Sequence, residues 1–312
     1  MIASDKIICV VGPTATGKSE LAQNIAEHVG GEIVSADSMQ IYKGMDIGTA
    51  KVPLSERRVA HFGLDLVDPG QPYSVALYQR YARSVFKDIA SRGKIAVVVG
   101  GSGFYVRAAI DDYDFPKGEQ TENPVRERYF RYLAENGVSA LWDRLDEVDP
   151  KSASVIHPNN TKRVIRALEM REEGISYADQ VQRLQVIEPV FDTVMIGLSC
   201  QRELLGARIG KRVDTMREMG LEDEVSQLLD AGFRDGLTSQ HAIGYKEIVD
   251  AFDGGRSIDQ AYEDIKQATR RYAKRQRTWF RKDERINWID CADADAAASQ
   301  ALDIIDAKLT AD

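Results

Sequence analysis

The segment Gly12-Pro13-Thr14-Ala15-Thr16-Gly17-Lys18-Ser19 follows directly after the apolar run Ile7-Ile8-Cys9-Val10-Val11. It matches the phosphate-binding pattern GxxxxGKS at every fixed position, and it lies between a predicted strand and a predicted helix, as the pattern requires. In such a loop the backbone N–H groups and the helix N-terminus face an anion, Lys18 adds a charge, and the Ser19 hydroxyl can hold Mg²⁺. A glycine turn that merely joins strand to helix would not need the Lys-Ser pair. The eight residues therefore predict a phosphate site but leave the phosphorylated molecule open.

Composition narrows the class of protein. The chain has 312 residues, 43% of them hydrophobic, which is enough for one large domain or two. We find no uncharged apolar run of about 18 residues, so we expect no membrane span, and the residues before the first strand do not resemble a signal peptide. Cys9, Cys200 and Cys291 have no CxxC spacing. They are interpreted as core thiols of a protein in the reducing cytoplasm.

Alternating strands and helices organise the first hundred residues. Apolar runs at 32–38, 61–67 and 94–99 predict strands, and apolar side chains at helical spacing predict a helix at 75–90. Continuous apolar strands separated by helices indicate a parallel sheet covered on both faces, so the fold class is a P-loop NTPase-like α/β fold. Ligands of such sheets bind beyond the carboxyl ends of the strands. We therefore expect the phosphate loop, Asp37-Ser38 and Gly101-Ser102-Gly103 to converge.

A change in character after Asp111 indicates an insertion. From Pro124 to about Tyr177 the sequence is charged and helical, with helix starts predicted at Pro124, Pro150 and Pro158. A strand returns only at 192–198. We interpret 118–190 as a mainly helical insertion that divides the catalytic core into residues 1–117 and 191–312. In the alternative, these helices pack on the sheet as part of one domain. The chain after Gln201 is predicted to be helical, with helices at 208–229 and 265–282.

Basic residues are concentrated in the last third, although the net charge is −8, which by itself argues against a nucleic-acid partner. The range 269–282 holds seven Arg or Lys and no acid, and on a helix one face would carry Arg270, Lys274, Arg277 and Arg281. A solvated basic helix is the ordinary explanation, but in an acidic chain this cluster favours an anionic partner. The insertion has a smaller cluster of Lys162, Arg163 and Arg166. Two basic surfaces beside a phosphate loop predict a polyanion that lies across the molecule.

Asp37 is the carboxylate best placed to face the phosphate loop, because the strand at 95–99 ends in Gly100-Gly101-Ser102-Gly103 with no acid. Phosphoryl-transfer enzymes with this loop commonly hold Mg²⁺ with an Asp at a strand end. From spacing alone, Asp37 could be a Mg²⁺ ligand, a general base or the N-cap of a following helix.

Longer motifs extend these observations. One motif covers the range 33–51, with the sequence IVSADSMQIYKGMDIGTAK. It is considered together with the phosphate loop, GGSGFY at 100–105 and HPNN at 157–160. IGYKE at 243–247 and the block from Ala273 to Trp279 follow in the same order. Together they closely resemble the tRNA dimethylallyltransferase, or isopentenyltransferase, family over nearly the whole chain.

The resemblance implies that the loop holds the diphosphate of dimethylallyl diphosphate. The family transfers the dimethylallyl group to N6 of the adenine on the 3′ side of the anticodon in tRNA. The same resemblance implies that Asp37 is the general base and that Lys18 and Mg²⁺ at Ser19 bind the leaving diphosphate. It also implies that Ser102 orients the diphosphate or the incoming amine. An exocyclic amine is a poor nucleophile whose proton needs an acceptor, so these roles are chemically coherent.

The resemblance also implies contacts to the tRNA anticodon stem-loop. These fall on residues near the target adenine, on the insertion and on the C-terminal part: Asp37, Ser38, Met39, Gln40, Ser102, Arg126, Lys162, Arg163, Arg166, His241, Gly244, Tyr245, Lys246, Arg270, Lys274 and Arg277. We expect a monomer. Two rival functions remain at this point, a small-molecule kinase that uses ATP and an RNA-binding module switched by a nucleotide.

Overall fold

The computed structural model describes residues 6–113, 115, 123–183, 188–236 and 238–310. The chain divides into two compact units. One consists of Met1–Ile110 with Val190–Asp312, and the other is Asp111–Pro189. The helical segment expected at 118–190 thus falls, except for its last residue, in the second unit.

A six-stranded parallel sheet forms the centre of the first unit. Its strands are β1 (Lys6–Val11), β2 (Glu32–Ser35), β3 (His61–Phe62), β4 (Ala96–Gly100), β5 (Asp192–Ser199) and β6 (Ile286–Asp290), in the spatial order β3-β2-β4-β1-β5-β6. Every residue of β1 is buried, because parallel strands are covered on both faces. The α/β fold class predicted from the sequence is confirmed.

Two pairs of helices cover the sheet. Helices α2 (Val75–Ser91) and α3 (Gly103–Ile110) pack on the face that receives Ile7, Cys9 and Val11. Helices α1 (Lys18–Val29) and α12 (Ala294–Leu309) pack on the face that receives Ile8 and Val10. Alternate side chains of one strand therefore enter two separate cores, as the period of two in a strand requires.

Four further helices of the first unit form a third core. They are α8 (Arg202–Glu218), α9 (Leu221–Asp230), α10 (Tyr245–Phe252) and α11 (Ile258–Phe280), with short 3₁₀ turns at Phe233–Asp235 and Ser239–His241. Their apolar side chains pack with Ile41, Tyr42 and Met45 from the segment after β2. This core ties the C-terminal helices to the carboxyl edge of the sheet.

The structure corrects three sequence predictions in this unit. The chain after Gln201 is not helical throughout, because β6 adds an edge strand beside β5. The helix predicted at 208–229 is two helices that are separated at Gly220, whose φ of 90° places it in the left-handed region. The strand predicted at 61–67 stops at Phe62, since Gly63 also has a left-handed φ and a Cβ there would lie 2.7 Å from the Ser35 carbonyl oxygen.

The second unit is mainly helical where it is described. Helices α4 (Pro124–Val148), α5 (Pro150–Val155), α6 (Thr161–Glu172) and α7 (Tyr177–Arg183) enclose a core that includes Leu141, Leu145 and Leu168. The helix starts predicted at Pro124 and Pro150 are confirmed, and Gly137 interrupts α4 with a φ of 82°. The start predicted at Pro158 falls three residues later, where Asn160 caps α6.

Within the described ranges, the helices are all too short or too polar to cross a lipid bilayer.

Close packing between β5 and β6 makes Gly197 sensitive to substitution. A Cβ at this position would lie 2.4 Å from Cγ2 of Ile286 and 2.8 Å from the Trp288 ring. We expect Gly197→Ala to lower the free energy of unfolding by about 1–3 kcal/mol through overpacking. Gly206→Ala is the control, because it lies in α8 with no atom within 4 Å of the new Cβ.

In the control variant, alanine should raise the free energy of unfolding by about 0.5–1 kcal/mol through helix propensity. Urea denaturation of both variants measures the two changes. Equal effects of the two substitutions would contradict the packing between β5 and β6.

Candidate functional site

The loop between β1 and α1 is shaped to face an anion. Gly12 has a φ of 136°, and a Cβ there would lie 2.6 Å from the Leu198 carbonyl oxygen, so only glycine fits. Gly17 has a φ of 88° and begins α1, whose first N–H groups have no acceptor within the helix. Thr16 donates through its hydroxyl to the Pro13 carbonyl at 2.8 Å and closes the loop. The helix dipole and these N–H groups together favour a bound phosphate.

Two cations lie together at this loop. The Lys18 ammonium donates to the Pro13 carbonyl at 2.6 Å. Burial and the nearby Arg212 guanidinium together lower the pKa of Lys18 to about 7, although the Asp37 carboxylate opposes both effects. Burial also lowers the pKa of Arg212, again opposed by Asp37. Two partly buried cations at close range favour an anionic ligand that would separate their charges.

Asp37 lies just beyond the end of β2. Its Oδ1 accepts from the Met39 backbone N–H at 2.8 Å, and the residues that follow form turns. The N-cap alternative is therefore wrong, because no helix begins at Asp37; the carboxylate instead closes an Asx turn. This turn points the carboxylate group into the same region as Lys18 and Arg212.

The glycine-rich segment after β4 brings Ser102 to the same place. The Ser102 hydroxyl accepts from the Ser38 backbone N–H at 3.3 Å and lies 3.4 Å from the Ser38 hydroxyl. Gly101 and the phosphate loop are also close, since a Cβ at Gly101 would lie 3.5 Å from the Gly12 carbonyl oxygen. The predicted convergence of three strand ends is thus confirmed.

Two cavities open on either side of Arg212 and Met216, which line both of them. The larger cavity, of about 840 Å³, contains Lys18 and Ser19. The smaller cavity, of about 370 Å³, contains Asp37. A cationic phosphate site and a carboxylate in adjoining cavities can bind two different substrates and bring their reactive ends together.

Comparisons with known proteins agree with this arrangement. The family model described as IPP transferase matches residues 40–283, and the one described as isopentenyl transferase matches residues 5–58. The chain belongs to the IPP transferase family. The resemblance noted from the sequence motifs is thereby confirmed.

Individual relatives of this family member are similar over nearly their full lengths. A tRNA dimethylallyltransferase from Geobacillus thermodenitrificans is 47% identical over 306 residues, which are 96% of this chain and 95% of that protein. The crystal structure of a tRNA isopentenylpyrophosphate transferase from Bacillus halodurans is 40% identical with a TM-score of 0.73, covering 98% of this chain and 97% of that one. A eukaryotic dimethylallyltransferase acting on tRNA is 30% identical with a TM-score of 0.84, covering 98% and 80%.

In this IPP transferase family member, two charged side chains shape the segment 40–51. The Lys51 ammonium is buried and donates to the Tyr42 carbonyl at 2.6 Å, to Asp46 at 2.7 Å and to Asp65 at 2.6 Å. The Glu224 carboxylate accepts from the N–H groups of residues 46, 47 and 48 at 3.1, 2.7 and 3.3 Å. The segment is therefore a braced loop, and its shape is set by internal hydrogen bonds.

This bracing changes the roles expected of three residues. The Gln40 amide is used internally, accepting from Ser35 at 2.7 Å and donating to the Thr49 and Ala50 carbonyls at 3.2 and 3.3 Å. The Tyr245 ring is fully buried and its hydroxyl donates to Glu224 at 2.6 Å. Burial contradicts a direct RNA contact of the Tyr245 side chain. Gly244 lies at the N-terminus of α10, where its N–H donates to Glu247 at 2.8 Å.

The basic residues of the second unit differ in exposure. Arg126 and Arg166 both pair with the Glu169 carboxylate, which is fully buried in its side chain; Nη2 of Arg126 lies 2.9 Å and Nη1 of Arg166 lies 3.1 Å from its Oε2. Lys162 and Arg163 are exposed on α6. The Glu169 carboxylate therefore partly neutralises and orients two of the four cations.

Helix α11 presents to the smaller cavity two arginines that are not among the four cations of the predicted basic face. Arg271, Tyr272 and Arg275 line that cavity together with His241 and Lys246. The predicted cations Arg270 and Lys274 are exposed, and Arg277 is half-buried. Lys274, Arg275 and four neighbours line a separate shallow groove of about 440 Å³. The cavity that contains Asp37 is thus lined by Arg271 and Arg275, and not by Arg270 or Arg277.

Sequence reasoning missed Arg212 and Glu224 because neither belongs to a recognisable motif. Arg212 lies four residues after Arg208 on α8, and that spacing is its only local signal. Glu224 looks like an ordinary surface acid of α9. Their positions depend on how α8 and α9 pack against the loops.

The pKa of Lys18 predicts proton uptake when diphosphate binds. At about pH 8.5 a lysine with a pKa of about 7 is mostly neutral, and a bound anion raises its pKa, so binding should take up close to one proton. At about pH 6 the lysine is already charged, and uptake should approach zero. Affinity should therefore fall as pH rises above about 7.

Calorimetry with inorganic diphosphate in buffers of different ionisation enthalpy measures this uptake. Lys18→Arg is the matched variant, because arginine keeps its proton throughout this pH range. Lys211→Gln, which changes another cation of the same cavity, should retain the uptake. The same uptake by wild type and Lys18→Arg would show that the proton binds elsewhere.

Proposed function

We propose that this chain transfers the dimethylallyl group of dimethylallyl diphosphate to N6 of the adenine on the 3′ side of the anticodon in tRNA, with release of diphosphate. The observation that carries the proposal is the Asp37 carboxylate, which lies in a cavity adjoining the Lys18 and Arg212 cations. A base and a leaving-group site in adjoining cavities suit displacement of diphosphate by an amine. The names of the relatives support the same reaction.

The loop between β1 and α1 would bind the departing diphosphate. As the bond between the allylic carbon and the diphosphate oxygen breaks, negative charge grows on that oxygen. Backbone N–H groups at the start of α1, Lys18 and Arg212 then bind the diphosphate more strongly than in the ground state, which lowers the barrier. Oriented N–H groups need no rearrangement as the charge develops.

Asp37 would accept the proton from the attacking amine. The N6 lone pair forms the new bond to the allylic carbon, the carbon–oxygen bond breaks, and the N6 proton passes to the carboxylate. Oδ1 is held by the Met39 N–H, so the Asx turn fixes the carboxyl plane. General-base catalysis of this kind contributes about 10²- to 10⁴-fold in rate.

Ser102 and Tyr272 would position the two reactants. The Ser102 hydroxyl is half-buried between Ser38 and the side chain of Tyr272, with which it shares a hydrogen bond. Burial and the charge of Asp37 raise the pKa of Tyr272 to about 12, so the phenol stays protonated and can donate. A target base in a single-stranded loop is easier to place here than one in a duplex.

Mg²⁺ fits the larger cavity through Ser19. Ser19 lines the cavity beside Lys18. Among the described residues there is no group of three His, Cys, Asp or Glu side chains that could hold a metal ion. Mg²⁺ bound with substrate phosphates usually takes only one or two protein ligands and keeps several waters, which agrees with this donor set. When bound, the ion would neutralise charge on the diphosphate.

RNA would approach the smaller cavity over the basic side chains that line it. His241, Lys246, Arg271 and Arg275 surround the cavity that contains Asp37. In the second unit, Lys162, Arg163, Arg166 and Arg126 supply further cations for the anticodon stem-loop. Phosphate contacts of this kind position the RNA without reading its sequence. The proposed enzyme acts in the cytoplasm and as a monomer. These two points rest on the sequence analysis alone.

A direct assay tests the proposed reaction. The protein is incubated with unmodified tRNA, Mg²⁺ and labelled dimethylallyl diphosphate in the absence of ATP. We expect label at N6 of the adenine beside the anticodon. RNA without label would overturn the proposal, and phosphoryl transfer from added ATP to a small molecule would favour the kinase alternative.

Two substitutions of Asp37 distinguish its role as the general base from its role in closing the Asx turn. Asp37→Asn keeps an oxygen that can accept from Met39, whereas Asp37→Ala removes both the turn and the base. We expect both variants to lose about 10²- to 10⁴-fold in single-turnover rate while tRNA affinity stays within several-fold. If Asp37→Asn retains most of its turnover and only Asp37→Ala is impaired, the carboxylate has a structural role.

Salt dependence of RNA binding identifies the face of α11 in contact with the stem-loop. Arg275 lines both the smaller cavity and the shallow groove, whereas Arg270 lines neither. We expect Arg275→Ala to reduce the slope of log K against log salt by about 0.7–0.9, the value for one phosphate contact. Arg270→Ala is the matched control, with little expected change. A larger reduction of the slope by Arg270→Ala than by Arg275→Ala would instead indicate that the face predicted from the sequence contacts the stem-loop.

A further inference from the structure

One buried amide joins the two glycine-rich loops of the site. Oε1 of Gln276 accepts from the Thr14 backbone N–H at 2.9 Å, and its Nε2 donates to the Gly101 carbonyl at 2.9 Å. The side chain belongs to α11, and the residue is only 5% exposed. Thr14 offers only a donor and Gly101 only an acceptor, so the two partners fix the orientation of the amide.

The rest of this helix face reaches the same loop. A Cβ at Gly101 would lie 2.2 Å from Nε2 of Gln276, and one at Gly103 would lie 2.1 Å from Cε3 of Trp279. Tyr272, one turn before Gln276, shares hydrogen bonds with the side chains of Gln276 and Ser102. Residues 272, 276 and 279 recur at helical spacing, so one face of α11 rests on the loops.

The adjoining face of the same helix is cationic. Arg271, Lys274, Arg275 and Lys282 line the shallow groove. Helix α11 therefore contacts the phosphate loop and the Ser102 loop with one face and offers cations to a polyanion with another. A ligand that shifts or orders α11 must also act on the Thr14 N–H and the Gly101 carbonyl through Gln276.

We propose that Gln276 is a positioning residue that couples occupation of the basic face of α11 by RNA to the geometry of the diphosphate loop. This inference rests on the proposed function and adds to it a residue through which one substrate strengthens binding of the other. Only a side chain with one acceptor and one donor at this length satisfies both loops. Coupling of this kind is reciprocal, so diphosphate should strengthen RNA binding by the same factor.

Binding of inorganic diphosphate with Mg²⁺ is measured by calorimetry, with and without a saturating anticodon stem-loop that carries guanosine in place of the target adenosine. In the wild type we expect the stem-loop to raise diphosphate affinity by about fivefold or more. Gln276→Leu should reduce this factor to about one while stem-loop affinity stays within about threefold. Gln267→Leu, an exposed position on the same helix, should keep the wild-type factor.

Gln276→Glu supplies a second readout that does not depend on the leucine variant folding. A glutamate carboxylate at this position would face the Gly101 carbonyl, and only its protonated form restores the donor. The transfer rate of Gln276→Glu relative to wild type should therefore rise as the pH falls from about 8 to about 6. The same ratio for Gln267→Glu should stay constant.

Equal coupling in wild type and Gln276→Leu, no coupling in wild type, or a pH-independent Gln276→Glu ratio would each overturn the inference. Failure of the proposed function looks different. In that case the wild type transfers no dimethylallyl group, whatever the coupling between diphosphate and RNA.

Discussion

Repulsion between two partly buried cations is the constraint on which the site depends. Lys18 and Arg212 come from α1 and α8, and the charge of one lowers the pKa of the other. A fold that keeps such a pair together must gain its stability elsewhere, here from the cores on both faces of the sheet. The positive charge of the two side chains is then available to stabilise a bound diphosphate.

Keeping these cations close to Asp37 without collapse into an ion pair requires rigid loops. Lys51 and Glu224 supply that rigidity in the segment after β2, since each uses a full charge to satisfy several backbone or side-chain groups. Charge-assisted hydrogen bonds are stronger than neutral ones, so this irregular segment can hold its shape without regular secondary structure. Internal hydrogen bonds therefore set the shape of the segment that follows Asp37.

Sequence patterns predicted much of the fold and of the site. Strong local signals were reliable: the loop from Gly12 to Ser19, the apolar strands, and the starts of helices at Pro124 and Pro150. Weak signals failed, because β6 is only five residues long and two of the five are polar, and because Gly220 breaks a helical pattern that continues across it. The basic face of α11 was assigned by spacing alone, and spacing does not tell which side of a helix packs against the protein.

By itself the sequence determined the parallel sheet, the phosphate loop and the resemblance to the family, since each is written in residues close together along the chain. Tertiary structure alone decided that Arg212 lies beside Lys18 and that Arg271 and Arg275 line the cavity of Asp37. It also decided that Gln276 joins loops that are 262 and 175 residues away along the chain. The physical reason is that these relations depend on the packing of α8 and α11 against strand ends, where contacts between distant residues leave no local periodicity to detect.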